Sequence, residues 1–235
     1  MQLFYAPDFI PESPLLPAEE AQHFIKVLRK SVGEELWITD GKGNLFQTQL
    51  QSTNIKAATL KILNTKTDYQ KRDYKIHLAI APTKNIDRTE WCVEKAVEIG
   101  VDVISFLLCE RSERKHLNTE RIEKIVISAM KQSGKAYLPE INTLEKFTDF
   151  LHRENLESQR FIAYLPESPP PMLSSVLVKQ SDYCVLIGAE GDFSTHEVKT
   201  AIEKGFQPVS LGSSRLRTET AGVVAVHTLH LLQEC

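Results

Sequence analysis

Hydrophobic positions divide the chain into two regimes. Up to about residue 68 they fall in short alternating or β-branched runs; from Lys75 onward, strand-length apolar runs take turns with stretches of helical spacing. In the first region Leu3 to Ala6, Glu35 to Thr39, Asn44 to Ser52 and Ala57 to Asn64 predict strands. Asp40-Gly-Lys-Gly43 is a hairpin-turn signal, because glycine accepts positive φ. One helix is predicted over Ala18 to Lys30, with Ala21, Phe24, Ile25 and Leu28 on its apolar stripe. This is the pattern of a small β-barrel-like domain over residues 1–68, and the polar stretch Thr65 to Asp73 reads as a linker.

Residues 74–235 predict an α/β domain. Strands are expected at Ile76 to Ala81, Val103 to Leu108, Phe161 to Leu165, Cys184 to Ile187 and Val209 to Leu211. Helices are expected at Arg88 to Ile99, Glu120 to Gln132, Leu144 to Glu154, Thr195 to Lys204 and Thr218 to Gln233. Strands joined through helices imply a mostly parallel sheet covered on both faces, which binds ligands beyond the carboxyl ends of its strands. Two glycine-containing segments fall at such ends: Ile187-Gly-Ala-Glu-Gly-Asp-Phe-Ser194 and Leu211-Gly-Ser-Ser-Arg-Leu-Arg-Thr-Glu-Thr-Ala221.

Composition narrows the classes. With 42% hydrophobic and 25% charged residues the chain is of ordinary globular type, and no apolar run approaches the roughly 20 residues that span a bilayer. The first residues lack the pattern of a signal peptide, so a cytoplasmic location is expected. The four cysteines, Cys92, Cys109, Cys184 and Cys235, form no C-x-x-C pair, and Cys109 and Cys184 lie in apolar runs as buried hydrophobes would. His227 and His230 lack an acidic or cysteine cluster beside them, so no metal is expected. A net charge of −3 excludes a uniformly basic nucleic-acid binder, yet local clusters can still neutralise phosphates. Three such clusters stand out: His23, Lys26, Arg29 and Lys30; Arg111, Arg114, Lys115 and His116; and Lys131 with Lys135. Each alone is also what a solvated face would carry.

The two glycine-containing segments are the candidate site. Neither a P-loop nor a G-x-G-x-x-G after a strand is present. Gly188 and Gly191 permit close backbone approach after a buried strand, and Ser194 with Glu197 has capping-box spacing; a plain strand-to-helix turn would look the same. In the second segment Arg215 and Arg217 crowd the start of the last helix, where positive charge opposes the helix dipole by roughly 0.3–1 kcal/mol each. Residues set against local preference are often functional, although a salt bridge to Glu219 or Glu190 would also explain them.

These segments, with His-Phe-Ile-Lys-Val-Leu-Arg at 23–29, Glu-Lys-Ala-Val-Glu-Ile-Gly at 94–100, Glu-Arg-Ser at 110–112 and Gln-Ser-Gly at 132–134, resemble the RsmE family, methyltransferases of small-subunit ribosomal RNA. The resemblance spans nearly the whole chain. It implies a PUA-like N-terminal domain, a C-terminal SPOUT domain with a trefoil knot, a homodimer, S-adenosylmethionine as cofactor and uridine N3 as the methylated atom. The chain departs from the family pattern at Ser214, where arginine is usual and Arg215 follows instead, and at Lys135 after Gln-Ser-Gly.

On this basis Leu165, Ile187, Gly188, Glu190, Gly191, Leu211, Gly212, Leu216, Thr218 and Ala221 are expected to hold the cofactor. Arg217 is expected to stabilise the uracil anion, and His23, Lys26, Arg29, Lys30, Arg111, Lys135 and Arg215 to contact RNA. Glu190 and Glu219 could serve as bases, with structural hydrogen bonding the stronger expectation for each. Two competing readings are a non-catalytic RNA-binding or ribosome-assembly protein and a SPOUT methyltransferase with another RNA target.

Overall fold

The structure, a computed structural model, describes residues 2–166 and 168–234; Cys235, one of the four cysteines, lies outside the described residues. The chain forms two compact units, one of Met1–Lys71 with Ile127–Leu138 and one of Arg72–Val126 with Pro139–Cys235.

The first unit carries β1 (Leu3–Tyr5), β2 (Leu15–Leu16), α1 (Ala18–Gln22), β3 (Glu35–Thr39), β4 (Leu45–Leu50) and β5 (Ala58–Lys66). Its sheet order is β1-β3-β4-β5-β2, with β1 parallel to β3 and the other pairs antiparallel. Alternation puts Leu36, Ile38, Phe46, Leu50 and Leu60 into one core with Phe4, Ala21 and Phe24. The predicted hairpin turn is present: the Asp40 carboxylate accepts the Lys42 and Asn44 N–H groups, and Gly41 and Gly43 have φ of 74° and 97°.

The predicted helix over 18–30 is shorter than its pattern. After α1 the chain widens into a π-helical turn, His23–Val27, in which Leu28 N–H donates to His23 O, and Arg29 adopts φ 56°. The extra residue keeps Phe24 in the core while His23, Lys26 and Arg29 stay exposed.

Segment 127–138 was not foreseen as part of this unit. It docks on the hairpin turn through its backbone: Gly43 N–H and Thr39 Oγ1 donate to Ala136 O, and Leu138 N–H donates to Gly41 O. A Cβ on Gly43 would overlap the Tyr137 ring, so glycine there serves this docking as well as the turn. Lys131 also pairs with Glu20 at 2.5 Å.

In the second unit β6 (Ile76–Ile80), α2 (Ile86–Ile99) and β7 (Val103–Leu108) are followed by α3 (Thr119–Ser133), which continues into segment 127–138. Then come β8 (Glu140–Lys146), α4 (Phe147–Leu151), β9 (Gln159–Ala163), α5 (Leu173–Val176), β10 (Tyr183–Ile187), α6 (Thr195–Glu203), β11 (Gln207–Val209) and α7 (Thr218–Glu234). Among the described residues the sheet order is β11-β9-β10-β6-β7-β8, and every pairing is parallel. The central strands β6 and β10 are buried at every position, as a sheet covered on both faces requires.

The predicted helix over 144–154 is a correction. Residues 140–146 form the edge strand β8 instead, and only Phe147, Phe150 and Leu151 bury a helical stripe. Charged and polar residues at an edge hide the strand period, and the apolar spacing that followed was extended backward over it. Strand β9 ends at Ala163 and β11 at Val209, so Leu165 and Leu211 lie in loops past the strand ends.

Helix α2 begins at Asn85, whose side chain accepts the Asp87 N–H, and ends at Gly100 with φ 125°. It buries Cys92, Val93, Ala96 and Val97 at helical spacing. Helix α7 packs on α2 and β6 through Gly222, where an added Cβ would come within 2.8 Å of Cys92 Sγ and 3.0 Å of Ile80 Cδ1. Overfilling this contact with Gly222→Val should lower unfolding stability by about 1–3 kcal/mol in denaturant titration; an unchanged midpoint would contradict the close packing.

Candidate active site

The carboxyl ends of β9, β10 and β11 open into a pocket of about 650 Å³, within the usual range for a small-molecule site. Of the residues predicted to hold a cofactor, Leu165, Ile187, Gly188, Glu190, Leu211, Gly212, Leu216, Thr218 and Ala221 line it, as do Arg215 and Arg217. Gly191 does not. It lies against Arg111, where a Cβ would stand 3.2 Å from Arg111 Cβ, and its carbonyl accepts from Arg111 Nη1 at 2.7 Å.

The loop between β10 and α6 is locally determined. At Gly188 a Cβ would meet the Phe193 backbone nitrogen at 3.1 Å, so the turn is tight because glycine stands there. Asp192 has φ 60°, and its carboxylate accepts both Phe193 N–H and Leu165 N–H, which joins this loop to the one after β9. The predicted capping box is formed: Ser194 Oγ accepts Glu197 N–H, and Glu197 Oε2 accepts Ser194 N–H. Glu197 Oε1 takes Glu110 N–H, so both oxygens of this buried carboxylate are occupied.

Between β11 and α7, Ser210 Oγ both accepts Gly212 N–H and donates to Gly212 O. Gly212 has φ 133°, a conformation that side chains rarely adopt, and open space stands where a Cβ would be. The salt bridge from Arg215 or Arg217 to Glu219 or Glu190 is not formed. Both arginines are exposed and without an ion pair among the described residues. Glu190 Oε1 accepts Lys84 N–H instead. The cation nearest Glu219 is Arg88, at 3.8 Å from Oε1, too far for a hydrogen bond. Glu219 is 7% exposed, lines the pocket, and its Oε2 has no hydrogen-bond partner among the described residues. Burial, with the Glu219 carboxylate adding to it, pushes the Cys92 thiol up to about 12.

Arg88, Asp192 and Glu219 are lining residues that sequence reasoning left without a place in the ligand set. Arg88 had a usable signal: it follows the carboxyl end of β6, the strand beside β10, where the strand-end rule also applies.

The residues predicted to contact RNA are divided between the two units. His23, Lys26, Arg29 and Lys30 lie on and after the π-helical turn, with Lys30 paired to Glu34 at 2.6 Å. Lys135 belongs to segment 127–138 of the same unit, whereas Arg111 and Arg215 belong to the other. His230 contacts Tyr74 Oη at 3.0 Å and Glu234 at 3.2 Å. Among the described residues His77, Glu157 and Cys184 lie close enough to share a metal ion, but both His77 nitrogens are already engaged, with Glu157 and with Ser105 at 2.8 Å each.

A family model described as an RNA methyltransferase domain matches residues 70–230, and one described as an RNA methyltransferase PUA domain matches residues 16–63. Ribosomal RNA small subunit methyltransferase E of Synechocystis sp. is 30% identical over 240 residues, covering 99% of this chain and 78% of that protein. The crystal structure of a "probable rRNA-methyltransferase" from Porphyromonas gingivalis superposes with a TM-score of 0.92 at 43% identity, covering 100% and 99% of the two chains. Ribosomal RNA small subunit methyltransferase E from Neisseria gonorrhoeae, solved bound to S-adenosyl methionine, gives 0.88 at 28% identity, with 99% and 98% covered. The chain is a small PUA-like domain followed by a parallel α/β domain of the SPOUT class, and the superpositions extend over nearly all of it. The chain belongs to the RNA methyltransferase family of ribosomal RNA small subunit methyltransferase E.

Proposed function

We propose that this protein methylates N3 of a uridine in small-subunit ribosomal RNA, and that the pocket at the ends of β9, β10 and β11 holds S-adenosylmethionine. The observation that carries this reading is the pairing, in one pocket, of apolar walls with two exposed arginines that have no carboxylate partner among the described residues. The residues present fit the cofactor. Leu165, Ile187, Leu211, Leu216 and Ala221 offer surfaces for a flat ring, Gly212 leaves backbone open, and Glu219 keeps one oxygen unpaired among the described residues. When bound, the cofactor supplies an electrophilic methyl group on a sulfonium centre.

What the chain must add is positioning and charge. Uracil N3 carries a proton at neutral pH and is a poor nucleophile until that proton leaves. Donors aimed at the uracil oxygens favour the anion, and they act more strongly in a pocket that excludes water. Arg217 is assigned this role, and Arg215 beside it a contact with RNA phosphate. Glu190 and Thr218 hold the polar part of the cofactor. His23, Lys26, Arg29, Lys30 and Lys135 of the other unit grip phosphates. A homodimer, the trefoil knot, a cytoplasmic location and a place in ribosome maturation belong to the same reading. For the dimer, the supporting observation is Trp91 on α2 and Leu231 on α7, each 44% exposed on helices that pack together.

Arg217→Ala should slow single-turnover methyl transfer by about 100-fold, the scale of losing one donor to a developing anion, while calorimetric cofactor affinity stays within about threefold. Equal losses in both would remove Arg217 from that role, and a wild-type protein that binds no cofactor would favour a non-catalytic RNA-binding module. For the phosphate grip, Lys26→Ala with Arg29→Ala should flatten the dependence of log K on log salt by roughly 1.4–1.8, about 0.7–0.9 per phosphate contact. An unchanged slope would place the RNA elsewhere.

A further inference from the structure

We propose that Arg111 and Arg114 are positioning residues of the pocket, tying together the loops that follow β6 and β10. This rests on the reading that the pocket holds the cofactor. Their basic cluster looks in sequence like a phosphate-binding patch, but the guanidinium groups are directed at backbone carbonyls.

Arg114 forks onto two successive peptides of the loop after β6, with Nε donating to Thr83 O at 3.0 Å and Nη2 to Lys84 O at 2.6 Å. Arg111 Nη1 donates to Gly191 O at 2.7 Å and to Phe193 O at 3.3 Å, in the loop after β10. Lys84 N–H donates to Glu190 Oε1 at 2.8 Å, which links these two loops directly and closes a cycle. The turn bearing both arginines is fixed in its own right: Ser112 N–H donates to Cys109 O, Ser112 Oγ accepts Cys109 N–H, and Glu110 N–H donates to Glu197.

The cycle therefore joins three loops at the carboxyl ends of neighbouring strands β7, β6 and β10. Of these three, only the loops after β6 and β10 lead to pocket-lining residues, Arg88 in one case and Gly188, Ala189, Glu190 and Asp192 in the other. Neither arginine lines the pocket. The absence of a side chain at Gly191 has the same explanation, since a Cβ there would press on Arg111 Cβ and Cδ at 3.2 and 3.3 Å. At position 114 arginine is required because its planar fork, Nε and Nη2, reaches two carbonyls at once, which the single ammonium of lysine cannot reproduce, whereas Arg111 reaches both of its carbonyls through Nη1 alone. A shift of about an ångström in such supporting groups is enough to impair a site they do not touch.

The test uses the full chain carrying Arg111→Ala, Arg114→Ala, both together, or Arg114→Lys. Three quantities are read: S-adenosylmethionine affinity by calorimetry, the salt slope of binding to a small-subunit ribosomal RNA fragment, and amide exchange of residues 83–85 and 188–193 without ligand. Each alanine variant should weaken cofactor binding at least tenfold and speed exchange in both loops, with the salt slope unchanged. The double variant should lose less than the product of the single losses, because either one opens the same cycle. Arg114→Lys should behave like Arg114→Ala, since it keeps the charge and loses the fork. Cofactor affinity within twofold of wild type, together with a salt slope reduced by about 0.7 per arginine, would overturn the proposal in favour of RNA contact. If wild-type protein binds no cofactor, the cofactor reading fails by itself; exchange then decides the positioning role, and unaltered exchange in the variants refutes it.

Discussion

Parallel pairing of β9, β10 and β6 is the constraint on which the rest of the second unit depends. Parallel neighbours cannot be joined by tight hairpins, so each return passes through a crossover, and all carboxyl ends emerge on one edge. Burial on both faces follows, which is why Tyr183–Ile187 and Ile76–Ile80 have no exposed position. The ligand pocket is a consequence of that edge. Ala163, Ile187 and Val209 end three adjacent strands, and the chain must turn after each of them.

What the edge supplies is loops; what shapes them is a small set of side chain-to-backbone hydrogen bonds. Asp192 draws the loop after β9 towards the loop after β10, Ser210 shapes the entry to α7, and Glu197 holds both its own helix start and the turn after β7. Buried polar groups at such ends need partners, and side chains from neighbouring loops provide them. In the pocket wall the Glu219 carboxylate keeps Oε2 unpaired among the described residues, with Arg88 at 3.8 Å from its other oxygen. An unsatisfied buried acceptor costs stability, of order 1–3 kcal/mol, and its place in the pocket wall fits a group that a ligand completes.

Much of this was legible in the sequence. Apolar runs such as Val103–Leu108, the capping box at Ser194 and the glycines at 41, 43 and 188 each carry a local physical signature. Local signals failed where partners lie far along the chain. Residues 140–146 were misread because an edge strand with one neighbour shows little period, and the break after Gln22 because a π-helical turn keeps apolar residues near helical spacing. Segment 127–138 joins the first unit through Ala136 and Tyr137, with Ala136 lying 97 residues from the Thr39 hydroxyl whose hydrogen bond it accepts. For the candidate site, the glycines and neighbouring leucines announced the pocket walls; Arg88 carried only the weak signal of following a strand end, and Asp192 is an ordinary charged residue until the fold places it. Arg111 is the clearest case: its charge was visible in sequence, but its acceptors, Gly191 O and Phe193 O, were not.

The RNA product is the most direct test of the reaction. Small-subunit ribosomal RNA from cells with and without this protein can be digested and its nucleosides mapped by mass spectrometry. Loss of N3-methyluridine at one position, restored by the wild-type chain and not by Arg217→Ala, is the expected result. An unchanged set of modified nucleosides, or loss of a methyl group from a different atom or base, would contradict the assignment of uridine N3.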